Sequence, residues 1–263
     1  LHSFPTRRSS DLHLIMTGDD LFRGVNMKII AVAGTKNTGK TTLVTLLVSE
    51  MVKRGFKVGT VKHTHVKLDV HGKDTWKHRD AGAEIVVGAG GEETFFIINR
   101  NMGLEELLNK TEQLCKIDFL VLEGYKSGNY AKIFTSSIND PFSLAQVDVR
   151  QLNQESIEKL ADLVEERSFG KLANLNCGDC GYENCREMAL AMIKGQIEED
   201  VCVMKKESDV ILKVNGNRVP LNPFINKFFK NTFLGMINSL KIKEHGKPQK
   251  IELQIQNDEI SDN

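Results

Sequence analysis

Apolar residues run unbroken through Ile29-Ile30-Ala31-Val32 and stop at Gly34, which marks a strand buried on both faces rather than one that alternates. The polar stretch Gly34 to Thr42 reads as a glycine-bounded turn. Beyond it Leu43, Leu46, Leu47 and Met51 recur at three- and four-residue steps while Thr45, Ser49 and Lys53 fall on other faces. That spacing predicts an amphipathic helix, stopped by Gly55. Val58 to Val61 restarts as a strand, so the opening is a βαβ unit, with parallel pairing and a right-handed crossover. Thr94 to Ile98 and Phe119 to Leu122 predict two more buried strands, with a helix over Leu104 to Leu114 between them. A helix through Ile157, Leu160, Ala161, Leu163 and Val164 closes this part near Arg167. The alternation is that of a doubly wound α/β domain with a mostly parallel sheet.

After Ser168 the texture changes. Cysteine-glycine pairs appear, then Val210 to Val214 meets Asn215-Gly216, a two-residue hairpin signal, before Arg218-Val219 returns. Asn222 and Pro223 form an N-cap and first-turn pair opening a helix that turns Phe224, Ile225, Phe228, Phe229, Phe233, Leu234, Ile237 and Leu240 inward. Ile251, Leu253 and Ile255 alternate like a last strand, and an acidic tail follows. The expected organisation is a leader over 1–26 outside the fold, a phosphate-loop domain over 27–168 and a small α+β domain over 169–263. Met27 directly precedes the first strand, and Met16 offers another start.

Composition narrows the function. In 263 residues, 35 Lys+Arg balance 35 Asp+Glu. No chain-wide basic field exists to hold nucleic acid or an anionic membrane. No apolar run approaches the ~20 residues that span a bilayer. Of the five cysteines, Cys177, Cys180, Cys185 and Cys202 crowd together while Cys115 stands apart and reads as a buried apolar filler. Clustered thiols point to metal ligation in a reducing, cytoplasmic setting rather than to disulfide staples.

The most specific pattern is Gly34-Thr35-Lys36-Asn37-Thr38-Gly39-Lys40-Thr41, the G-x-x-x-x-G-K-[ST] phosphate loop, between a predicted strand and a predicted helix. Glycines let backbone N–H groups converge on phosphate oxygens, and the following helix adds its positive N-terminal dipole. In that pattern Lys40 neutralises β- and γ-phosphate charge, the Thr41 hydroxyl ligates Mg²⁺, and Thr42 completes the loop. Glu123, at the end of the Phe119 to Leu122 strand, takes the place of the acid that positions the metal or attacking water. Lys36 has no assigned role. No Asn-Lys-x-Asp base-reading motif follows a strand, because Asn109-Lys110-Thr111-Glu112 ends a predicted helix, so the pattern leaves the base open. Between the second strand and the next helix lie Lys62-His63-Thr64-His65, Asp69, His71 and then Gly72 to Ala83. Zinc is disfavoured there, since neither a thiol nor a helical H-x-x-x-H accompanies the histidines. Lys62, His63, Lys73 and Arg79 are expected around an anionic molecule, with Asp69 or Asp74 assisting Mg²⁺. Asp74 doubles as an N-cap for a helix starting at Thr75.

Gly34 to Thr42, Lys62 to His65, Gly72-Lys73-Asp74-Thr75-Trp76-Lys77-His78-Arg79-Asp80-Ala81-Gly82-Ala83 and Leu122-Glu123-Gly124-Tyr125-Lys126 together resemble the MobB family, molybdopterin-guanine dinucleotide biosynthesis protein B, over about residues 27 to 167. The resemblance implies a GTP-binding, weakly GTP-hydrolysing homodimer that assists the guanylyltransferase joining GMP to molybdopterin, with Lys40 and Glu123 as its catalytic groups. Tyr125 departs mildly from the family's usual Phe, and the whole region after Ser168 is extra.

In that region Cys177, Cys180, Cys185 and Cys202 have the spacing C-x2-C-x4-C-x16-C. Soft thiolates with intervening glycines suit an iron–sulfur cluster, whereas structural zinc usually arrives as two C-x2-C knuckles. The cluster is favoured over zinc, and the stretch resembles the four-cysteine 4Fe-4S domain of electron-transport subunits and corrinoid iron–sulfur proteins. The expectation is a GTP·Mg²⁺-binding accessory protein of molybdenum cofactor biosynthesis with a 4Fe-4S domain and a molybdopterin-type ligand. Its partners would be a guanylyltransferase and a molybdoenzyme. The alternatives are a nucleotide-gated switch and a metallocofactor-insertion chaperone that uses the cluster for electron transfer or docking.

Overall fold

The structure, a computed structural model, describes residues 27–64, 66, 68–205, 210–214 and 217–240. The described chain parts into two compact units between Val201 and Cys202.

The first unit is built on a five-stranded sheet of β1 (Lys28–Ala33), β2 (Val58–Lys62), β5 (Phe119–Glu123), β6 (Ala131–Phe134) and β7 (Ser143–Gln146), in the order β2-β5-β1-β6-β7. Each pairing is parallel. The two ends of the expected βαβ unit therefore share a sheet but are not neighbours: β5 lies between β1 and β2. In β1 the residues Ile29 to Ala33 are all buried, and β5 is buried throughout, as strands covered on both faces must be. One face packs Ile29, Ala31, Leu120 and Leu122 against Leu108 of α3 (Leu104–Leu114). The opposite face carries α1 (Lys40–Lys53) and α4 (Gln154–Arg167), since Lys28, which shares a strand side with Ile30 and Val32, reaches the Glu165 carbonyl. Arg54 joins those two helices by donating to Glu50 at 2.9 Å, Asp162 at 2.7 Å and the Glu158 carbonyl at 2.9 Å, besides pairing with Glu165. Its guanidinium holds the Glu50 carboxyl below the usual carboxylate range.

Several expectations shift. Helix α1 begins at Lys40, inside the glycine-bounded turn, and its buried residues include Leu43, Val44, Leu47 and Met51, whereas Leu46 is exposed. Thr94–Ile98 is a strand, β4, but not a buried one: it pairs antiparallel with β3 (Ile85–Ala89) as a separate hairpin. Phe95 and Phe96 stand 43% and 54% exposed: the short helix at 74–80 packs against β3, where Val86 is buried, and leaves those two rings in solvent. Cys115 is exposed at the C-cap of α3, not buried. Asp74 is the first residue of α2 (Asp74–Asp80) rather than its cap; Lys73 holds the cap position without a side-chain hydrogen bond.

Residues after Ser168 belong to the same unit as far as Val201. Phe169 is fully buried, and its carbonyl accepts the Ile29 N–H at 2.9 Å, on the stretch of β1 that precedes its pairing with β6. Helix α5 (Cys185–Ile193) follows, capped by Asn184, whose side chain accepts the Glu187 N–H.

The second unit contains β8 (Leu212–Val214) antiparallel to β9 (Asn217–Val219), as the hairpin signal predicts; the tip residues Asn215 and Gly216 lie outside the described residues. Helix α6 (Pro223–Ser239) starts with Pro223 and is capped by Asn222, which accepts the Ile225 N–H at 2.8 Å. Its apolar residues do not all turn inward: Phe224 is 74% and Phe228 57% exposed, and no α6 residue is buried. A three-residue-strand hairpin has too little face to cover a helix with apolar residues on several sides. The expected strand at Ile251 to Ile255 and the acidic tail lie outside the described residues, as does the leader.

Phe169→Ala removes a fully buried ring beside β1 and is expected to cost about 3–5 kcal/mol, measured by urea unfolding of the full chain. A loss below 1 kcal/mol would show that the segment after α4 does not stabilise the sheet.

Candidate functional site

Parallel pairing places the carboxyl ends of all five strands on one edge, where α/β sheets hold ligands. Register aligns Val32 and Lys62 with Glu123, and Ala33 with Phe134. Four segments therefore meet there: the glycine loop after β1, Lys62 ending β2, Glu123 ending β5 and Thr135-Ser136 after β6.

The loop bends through Asn37, at φ 61°, and Gly39, at φ 84°. A Cβ at Gly39 would lie 2.9 Å from the Val149 side chain, so both the left-handed backbone and the close approach require glycine. Gly39 is the N-cap of α1 and offers no side-chain cap, which leaves first-turn amides and the helix dipole to face a ligand. Lys40 donates its ammonium to the Thr35 carbonyl. Lys36 and Thr42 are exposed, and the structure assigns them no partner among the described contacts.

Beside the loop, the Thr41 hydroxyl donates to Glu123 Oε1 at 2.7 Å. Lys62 Nζ lies 2.9 Å from the same carboxylate oxygen and 3.2 Å from Thr41 Oγ1. The Glu123 side chain is 11% exposed, so its charge is balanced by this one ammonium and one hydroxyl. A hydroxyl and a carboxylate together form a hard-oxygen donor set suited to Mg²⁺. His63 continues from Lys62: its backbone N–H donates to the Glu123 carbonyl at 2.9 Å, and its ring lies 5.2 Å from that of Tyr125. Burial raises the pKa of the Tyr125 hydroxyl.

The remaining expected residues take their described contacts elsewhere. Asp69 accepts from Thr75 at 3.1 Å and faces Arg79 at 3.7 Å, Asp74 pairs with Lys77, and Lys73 precedes α2. These contacts lie within residues 69–79 rather than on Thr41 or Glu123. His65 lies outside the described residues. Residues that the pattern missed are Thr135 and Ser136, whose hydroxyls bond the loop, and Val149, which walls Gly39. Their signal is hidden because none belongs to the motif and the strand before Thr135 is interrupted by Lys132.

In the cysteine-rich segment Cys177 and Cys180 are half-buried and Cys185 is buried. The Cys185 N–H donates to Asn176 Oδ1 at 2.9 Å, and Asn174, Asn176, Gly178 and Gly181 all adopt positive φ, so the loop bends repeatedly around the first two thiols. Cys202 is buried in the second unit, and no cysteine is disulfide-bonded. Among the described residues, no three His, Cys, Asp or Glu side chains gather to hold a metal ion.

A parallel sheet whose first strand feeds a glycine loop and helix, with an acid ending the neighbouring strand, defines a phosphate-loop nucleotide-binding fold. A model of molybdopterin guanine dinucleotide synthesis protein B, MobB, matches residues 29–149, and a model of an Fe-S cluster domain matches residues 172–204. A molybdopterin-guanine dinucleotide biosynthesis adapter protein of Methanocaldococcus jannaschii is 33% identical over 238 residues, 87% of this chain and 98% of that protein. The Escherichia coli adapter protein is 30% identical over 161 residues, 52% of this chain and 91% of its own length. The crystal structure of Bacillus subtilis MobB, at 21% identity, covers 55% of this chain and 100% of that one with a TM-score of 0.43. The chain belongs to the MobB family.

Gly39→Ala forces a left-handed backbone on a Cβ that meets Val149. It is expected to cost ~1–2 kcal/mol from the backbone alone, read by chemical denaturation; an unchanged midpoint would show that the loop relaxes freely.

Proposed function

We propose that this protein is a GTP-binding adapter of molybdopterin guanine dinucleotide biosynthesis that assists the guanylyltransferase and presents its product to a molybdoenzyme. The observation that carries the reading is the Thr41–Glu123–Lys62 contact beside a glycine loop that opens α1. The support for the pathway is the set of adapter relatives; the support for GTP is family membership. The loop from Gly34 through Thr35, Lys36, Asn37, Thr38 and Gly39 would cradle the phosphates, Lys40 would neutralise their charge, and Thr41 with Glu123 would hold Mg²⁺. Magnesium held there would supply positive charge against the phosphates. Lys62 would then be free to leave Glu123 for the phosphates, and His63, Asp69 and Lys73, with Asp74 and Arg79 of α2, would belong to the segment that responds. Weak hydrolysis follows from placement and charge stabilisation, with Glu123 orienting water.

The homodimer reading draws support from the β3–β4 hairpin, where Ile85 and Val87 face Ile98 and Phe96 across the strands and all four are exposed on one face. A two-stranded hairpin is marginal alone, and such an apolar patch seeks a cover that a second copy would provide. No helix among the described residues is long and apolar enough to cross a membrane, and five unbridged thiols suit the cytoplasm.

For the cysteine-rich segment the proposal is a 4Fe-4S cluster on Cys177, Cys180, Cys185 and Cys202. Its support is the donor chemistry, four thiols with bent glycine-rich backbone between them, and the Fe-S family match.

Lys40→Ala is expected to abolish GTP binding by calorimetry while circular dichroism stays native; retained affinity would defeat the phosphate-loop reading. Cys180→Ala is expected to lose the brown absorbance and the iron of anaerobically purified protein. Zinc without iron in the unmutated chain would overturn the cluster.

A further inference from the structure

We infer that Thr135 and Ser136 are positioning residues of the phosphate loop, a hydroxyl clamp that holds its first turn in the shape that receives phosphate. The inference rests on the nucleotide-binding reading above and adds two residues that lie outside the loop motif.

The clamp starts from strand register. Ala33 pairs with Phe134, so the residues that leave the two strands, Gly34 and Thr135, emerge side by side. The Thr135 N–H donates to the Ala33 carbonyl at 2.9 Å, extending the ladder one step past β6. Thr135 is only 7% exposed, and its hydroxyl lies 2.6 Å from that of Thr38. With the Thr38 hydroxyl donating to the Thr35 carbonyl at 3.0 Å, its oxygen accepts from Thr135, whose one proton takes that 2.6 Å contact in preference to the Ala33 carbonyl at 3.4 Å. Ser136 Oγ accepts the Thr35 N–H at 3.1 Å. Both peptide groups flanking Thr35 are thus held, its N–H by Ser136 and its carbonyl by Thr38, which Thr135 holds in turn.

Gly34 is shaped to this arrangement. A Cβ there would lie 2.3 Å from Thr135 Oγ1 and 2.9 Å from Thr38 Oγ1, so the first motif glycine makes room for the clamp. The loop needs such support, because Thr35, Lys36 and Asn37 are exposed and Asn37 carries a left-handed backbone. In this structure Lys40 also holds the Thr35 carbonyl. Once Lys40 turns to a phosphate that contact is given up, and the hydroxyl chain alone retains the carbonyl. Ordering the loop beforehand removes an entropic cost from binding.

The test uses the full chain with Thr135→Val, Ser136→Ala and the two combined, and Thr135→Ser as the conservative variant. Calorimetry with Mg²⁺ and GTP reads affinity, and amide hydrogen exchange on the nucleotide-free chain reads protection at Thr35. The double variant is expected to bind GTP about tenfold more weakly and to exchange the Thr35 amide faster, while Thr135→Ser keeps both near wild type. Affinity within twofold of wild type would overturn the positioning role even if exchange rises, and unchanged exchange would overturn the clamp itself. If the unmutated chain binds no GTP, the nucleotide reading fails and the positioning role with it, whereas the exchange measurement still decides whether the hydroxyls hold the loop.

Discussion

Glu123 is the charge around which the candidate site is organised. Its carboxylate is nearly enclosed, and a buried charge is tolerated only when opposite charge and hydrogen-bond donors reach it. Lys62 at 2.9 Å and Thr41 at 2.7 Å supply them, one from β2 and one from α1. Neither donor is near Glu123 in sequence. Parallel register alone brings the ends of β1, β2 and β5 into one row, so a slip of one residue would turn the carboxylate to the other face and strand both partners.

The cysteine-rich segment is mounted at the far end of the same strands. Phe169 bonds the amino end of β1, Lys171 pairs with Glu105 at 2.7 Å and bonds Asn109, and Arg186 bonds Asn129 at 2.9 Å just before β6. The Arg186 guanidinium also lies 4.8 Å from the Phe142 ring centroid. Strand β6 therefore has the α5 contact before its first residue and Thr135 after its last. The candidate nucleotide site and the segment bearing Cys177, Cys180 and Cys185 therefore share strands of one unit, whereas Cys202 belongs to the other.

Of the sheet strands that sequence reading recovered, β1 after Lys28 and the Phe119 to Leu122 part of β5 are continuous apolar runs, while β2 was legible as the apolar restart after α1. The missed β6 hides because its second residue is Lys132, which looks like a surface position. In fact Lys132 is 2% exposed, its ammonium neutralised by Asp140 at 2.7 Å. For β4 the failure ran the other way. Thr94 to Ile98 has the composition of a core strand, but composition does not say what will lie across it, and here it pairs antiparallel in a hairpin that leaves Phe95, Phe96 and Ile98 exposed. Helix α6 failed for the same reason: its apolar spacing was legible, while the amount of surface available to cover it was not.

Local chemistry thus settled in advance which residues form the phosphate loop, where α1, α3 and α4 lie, and which thiols travel together, because glycine freedom, helical periodicity and residue spacing act over a few neighbours. Only the fold decided that β5 lies between β1 and β2, that Lys62 shares the Glu123 carboxylate with Thr41, and that Thr135 and Ser136 hold a loop roughly a hundred residues earlier in the chain. Those contacts depend on strand order and register, which arise when distant segments compete to bury their apolar faces against one another.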